Sequence, residues 1–93
     1  KGKNQVLIRQ VFTQLRGEGI GQANPAGAGF PEPRTHWMIS EETVKDHFAG
    51  KVSSSSNPRS VYKQAMDALI GSGHAVLNDG FIWFTDSNGK YKE

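Results

Sequence analysis

The side chains that could do chemistry are three histidines, scattered carboxylates, many serines and one compact set of basic and amide residues. His36, His47 and His74 lie far apart and lack partners at the spacing a zinc site uses. Cysteine is absent, which excludes thiolate ligands, disulfides and cysteine nucleophiles within these residues. Asp46 precedes His47 directly, and adjacent helix residues point in different directions, so the two form no acid–base dyad. No serine sits in the strand-to-helix elbow that would expose a nucleophile. Gly17, Gly19 and Gly21 follow a helical pattern, whereas a nucleotide fingerprint follows a strand and opens a helix. The expectation is a domain with no catalysis, no cofactor and no metal.

The compact set is different. Asn57-Pro58 is a strong helix start, an N-cap residue followed by proline at the first helical position. Arg59, Ser60, Lys63 and Gln64 then gather in the first half of that helix, away from its apolar side. These types match what reads nucleic acid: arginine pairs with guanine and glutamine with adenine, while serine and lysine hold phosphates. Asn57 and the serines at 53–56 can hold a phosphate at the helix N-terminus. Lys45 and Lys51 can add phosphate contacts from the preceding helix and turn. The plainer reading is that such residues decorate any solvated helix face.

Several elements must position that set. Residues 4–16 carry Leu7, Ile8, Val11, Phe12 and Leu15 at helical spacing, with Asn4 as a cap and Gly17 as the stop. Residues 17–36 hold Gly17, Gly19, Gly21, Gly27, Gly29, Pro25, Pro31 and Pro33 and keep no periodicity, which predicts an irregular, exposed loop. Trp37-Met38-Ile39 suits a short strand. Ser40 is placed to cap a helix over 41–49 whose apolar face is Val44, His47 and Phe48, with Glu41 and Glu42 at its positive end. The helix from Pro58 to about residue 70 turns Val61, Tyr62, Ala65, Ala68 and Leu69 inward. His74–Leu77 and Phe81–Thr85 form a hairpin around Asn78-Asp79-Gly80. Alternation puts Phe81, Trp83 and Thr85 on one face of it and Ile82 and Phe84 on the other, and one face must pack on the core. Whether the remaining face stays open is not fixed by the pattern; if it does, Trp37, Phe81, Trp83 or Phe84 can stack on unpaired bases or meet a protein partner. Residues after Asp86 are expected to form a flexible tail, 87–93.

Ninety-three residues make one domain, expected over 1–86, and 35% hydrophobic content with a net charge of +2 supports a small core. So slight an excess of charge means that nucleic-acid binding must come from local clustering. No membrane-length apolar run and no signal pattern occur, and the expected location is cytoplasmic. Lys1 opens the chain in place of methionine, which points to a fragment of a larger protein.

Helix, loop, strand, helix, connector, helix and hairpin follow one another in the order of a winged helix-turn-helix domain. The fold expected is therefore α+β, with three helices, a short strand and a C-terminal two-stranded wing. The run Asn57-Pro58-Arg59-Ser60-Val61-Tyr62-Lys63-Gln64-Ala65, continuing through Leu69 and Gly73 into Asp79-Gly80-Phe81-Ile82-Trp83, resembles the C-terminal winged-helix appendage of plasmid- and phage-type replicative helicase ATPases. That resemblance implies DNA binding, to duplex more than to single strands, by an accessory domain of a replication protein. The competing expectation is a protein-docking or oligomer-bracing module that works through the aromatic hairpin and the loop.

Overall fold

The computed structural model describes residues 3–52 and 57–85. Three helices and a four-stranded antiparallel sheet make up an α+β fold among them. Helix α1 spans Lys3–Gly17, α2 Glu41–Lys51 and α3 Pro58–Gly71; the strands are β1 Gln22–Ala23, β2 Trp37–Ser40, β3 Ala75–Asn78 and β4 Phe81–Phe84. The sheet order is β1-β2-β4-β3. The serines at 53–56 and the expected tail lie outside the described residues.

The helices form where their apolar stripes predict, and pack together on one face of the sheet. Ile8, Val11, Phe12 and Leu15 of α1 meet Val44 and Phe48 of α2 and Tyr62, Ala65, Met66 and Leu69 of α3. Ile39, Ala75, Ile82 and Phe84 close this core from the sheet. Two expected inward positions turn out exposed, His47 and Ala68. The α3 stripe runs 62, 65, 66 and 69, so Met66 takes the place assigned to Ala68.

The ends of the helices differ in detail from expectation. Gly17 is the last helical residue, and the left-handed turn that closes α1 falls two residues later at Gly19, whose φ is +79°. There the Ile20 N–H reaches the Leu15 carbonyl at 2.9 Å and the Gly19 N–H reaches that of Arg16 at 3.0 Å. The same pair of bonds ends α3 around Gly73, from His74 to Leu69 and from Gly73 to Ile70. Ser40 occupies the N-cap position of α2, but its side chain makes no cap bond. The Glu41 N–H instead donates to the Gly80 carbonyl at 2.9 Å, so the hairpin tip caps the helix.

The segment between α1 and β2 is the main departure from the sequence reading. It is not irregular throughout, because β1 pairs with β2 in it, Gln22 opposite Met38 and Ala23 opposite Trp37. Asn24 is buried and ties the rest together. Its amide nitrogen donates to the Pro31 and Glu32 carbonyls at 3.0 and 2.9 Å, and its oxygen accepts from the Thr35 and His36 N–H groups at 3.0 and 2.9 Å. A single asparagine can do this because its side chain offers two donors and an acceptor oxygen. The segment so held lays Phe30 against Trp83, ring centroids 5.4 Å apart.

Candidate nucleic-acid interface

Helix α3 presents the expected residues from a well-made start. The Asn57 side-chain oxygen accepts the Ser60 N–H at 3.2 Å, and Pro58 fills the first helical position. Arg59, Ser60, Lys63 and Gln64 are all exposed. They do not form one cluster. At 100° per residue Ser60 and Lys63 lie near the middle of the open arc, with Arg59 and Gln64 towards its two edges.

Arg59 and Lys63 border a groove of about 340 Å³ between α2, α3 and β3, which Lys45 also lines. Gln64 faces the other way, into a smaller polar groove with Asn4 and Gln5 of α1. Lys51 stands apart from both, beside Gln14, Asp46 and His47. Of the seven expected contact residues, the groove therefore brings together Arg59, Lys63 and Lys45.

The charge around that groove is mixed. Lys63 Nζ lies 3.1 Å from Asp67, and Lys45 Nζ lies 3.9 Å from Glu42. Both pairs are open to water, where such contacts are worth little and a phosphate competes easily for the cation. Arg59 has no partner among the described residues. Beneath them Tyr62 donates its hydroxyl to Glu41 at 3.4 Å, and Lys45 lies over its ring. Burial, reinforced by the Glu41 carboxylate, pushes the Tyr62 hydroxyl well above the usual phenol range, so it stays protonated.

The hairpin is short and pinned. Asp79 and Gly80 both take positive φ, 53° and 79°, as a two-residue turn requires. Its tip is held by the Gly80–Glu41 bond on one side and by the Asn78 amide donating to the Ala28 carbonyl at 3.2 Å on the other. Its aromatic residues are covered: Trp83 and Phe84 are buried and Phe81 is half-buried. The question the sequence left open is answered by the loop, which supplies Phe30 as a lid for Trp83. Among the described residues, the hairpin therefore offers a partner no fully exposed aromatic ring.

The sequence reading did not single out Ile70, Leu77 or Glu41 as parts of a site. Only the packing of α3 against both α2 and β3 brings these three to one place. Among the described residues, no three of His, Asp or Glu come together as metal ligands would, and no helix is long and apolar enough to cross a membrane. Comparison of the chain with known protein families, curated proteins and solved structures finds no match.

Proposed function

We propose that the chain is a winged-helix domain that binds double-stranded DNA through α3. The reading rests on one observation above others: the outer arc of α3, with Arg59, Ser60, Lys63 and Gln64, is open to solvent from its N-cap onward. A helix of this kind enters the major groove with its first half facing the base edges. The order of elements and the pairing of β2 with β4 and β4 with β3 are compatible with a winged helix. Duplex is favoured over single strands because no aromatic ring among the described residues is fully exposed: Tyr62, Trp83 and Phe84 are buried, and Phe30, Trp37 and Phe81 are half-buried.

The wing contributes little to this binding. Its tip carries Asp79 and no lysine or arginine, and both sides of it are engaged by the protein itself. Lys45 and the helix start at Asn57 supply the phosphate contacts, with Lys51 reaching the backbone from farther along α2. The larger reading, an accessory domain of a plasmid- or phage-type replication helicase working in the cytoplasm, is carried by the resemblance of residues 57–83.

Fluorescence anisotropy with a labelled duplex at several salt concentrations tests the binding. Affinity falls steeply as salt rises, and R59A/K63A reduces the slope of log K against log salt by about 2. A folded protein that binds no duplex at low salt overturns the reading.

A second reading has its own observation. Ile70 and Leu77 are 37% and 40% exposed in the groove beside Arg59, an apolar pair that DNA has little use for. They suit a protein contact.

A further inference from the structure

Among the described residues, strand β3 is an edge strand, paired with β4 alone. Its hydrogen-bond phase follows from the turn. Asn78 and Phe81 flank the two turn residues and face each other across the ladder, and at the far end the Thr85 N–H reaches the His74 carbonyl at 3.0 Å. Antiparallel pairing alternates, so the N–H and C=O groups of Ala75 and Leu77 point away from β4, towards the free edge. Natural edges are commonly blunted by a lysine, a proline or a bulge. Ala75-Val76-Leu77-Asn78 has none of these.

The groove runs beside this edge, along one flank of α3. Arg59, Tyr62, Lys63, Met66, Asp67 and Ile70 recur at spacings of three and four, so they form one stripe. From Arg59 to Ile70 the stripe extends about 16 Å, the length of about five residues of extended chain. Its two ends differ in chemistry. The Ile70 end, with Met66 and Leu77, is apolar. At the Arg59 end stand Lys45 and Lys63, and the carboxylates there are already engaged, Glu41 by the Tyr62 hydroxyl and Asp67 by Lys63.

We propose that the groove and the β3 edge together bind an extended peptide with aliphatic side chains at one end and acidic ones at the other. The peptide adds a strand to β3 through the outward groups of Ala75 and Leu77. Aliphatic side chains on its groove side enter between Ile70, Met66 and Leu77. A carboxylate two residues on meets Arg59, which has no other partner among the described residues. The volume suits this occupant, since a cavity of roughly 150 Å³ already takes a benzene ring. A base is a poorer fit, because the one aromatic ring in the groove, Tyr62, is 3% exposed and lies under Lys45.

The site shares Arg59 and Lys63 with the DNA-binding arc but stands on Ile70 and Leu77, so the two can fail separately. The probe is a capped, fluorescein-labelled heptapeptide alternating threonine with leucine, leucine, aspartate and aspartate, made in both chain directions. Its control carries lysine for aspartate. One direction of the aspartate peptide binds saturably, and the lysine peptide binds at least about tenfold more weakly, as like charges at Arg59 require. L77D abolishes binding while leaving duplex binding and thermal melting unchanged. Hydrogen exchange at the Ala75 and Leu77 amides slows on binding, which a contact through side chains alone would not produce. Failure of both aspartate peptides to bind, equal binding of the lysine peptide, or unchanged exchange at those amides overturns the proposal.

Discussion

The two faces of one sheet are covered in opposite ways. On one face Ile39, Ala75, Ile82 and Phe84 meet three helices whose apolar stripes interlock. On the other, Met38 and Trp83 are equally buried, yet what covers them is a glycine- and proline-rich segment with no periodicity. The helical face is held by many side chains acting together. The loop face depends on one buried asparagine, one ring contact and two strand residues. A small domain can thus close a second face of its sheet with few residues, provided their polar groups are all satisfied.

That contrast sets the scale of the effects expected on each side. Phe48→Ala empties a fully buried site between α2 and α3 and costs about 3–5 kcal/mol, which a domain this small hardly survives. Urea denaturation followed by far-UV circular dichroism measures it. Asn24→Ala leaves the Thr35 and His36 N–H groups and the Pro31 and Glu32 carbonyls without their partner, and costs about 2–3 kcal/mol. Its signature is local: protease cuts within 22–36 before the helices unfold. If Asn24→Ala unfolds the whole domain in one step, the two faces are a single cooperative unit.

Gly29→Ala tests the loop face more gently. Gly29 has φ +84°, and a Cβ there would lie 2.6 Å from the Asn78 amide. The expected cost is about 1–2 kcal/mol, with the helical core unchanged. Trp83 fluorescence shifts to the red as Phe30 lifts away, which a change in helix packing alone would not cause.

The helical face was legible in the sequence because its signals are local. Stripes at helical spacing, Asn57-Pro58 and Asp79-Gly80 each announce their element within a few residues. Met66 was missed for Ala68 because a pattern of apolar residues does not say which flank of the stripe the neighbours will cover. The cap of α2 was missed for a different reason: Gly80, which takes over from Ser40, is far away in the chain. Nothing near Asn24 marks it as a hub, since its partners are ordinary backbone groups seven to twelve residues on. Strand β1 was lost in the same segment, being two residues long. At the candidate interface, the residue types on α3 could be read, and so could their exposure. The split between Arg59 and Gln64, and the apolar end of the groove at Ile70 and Leu77, depend on how α3 lies against α1 and β3.

The most direct test of the DNA reading is a ¹⁵N chemical-shift titration of the folded domain with a short duplex at low salt. The account predicts shifts concentrated on the amides of Asn57 to Gln64 and on Lys45, with the loop face around Asn24, Phe30 and Trp83 silent. Shifts confined to residues 22–36, or none at all, would contradict it.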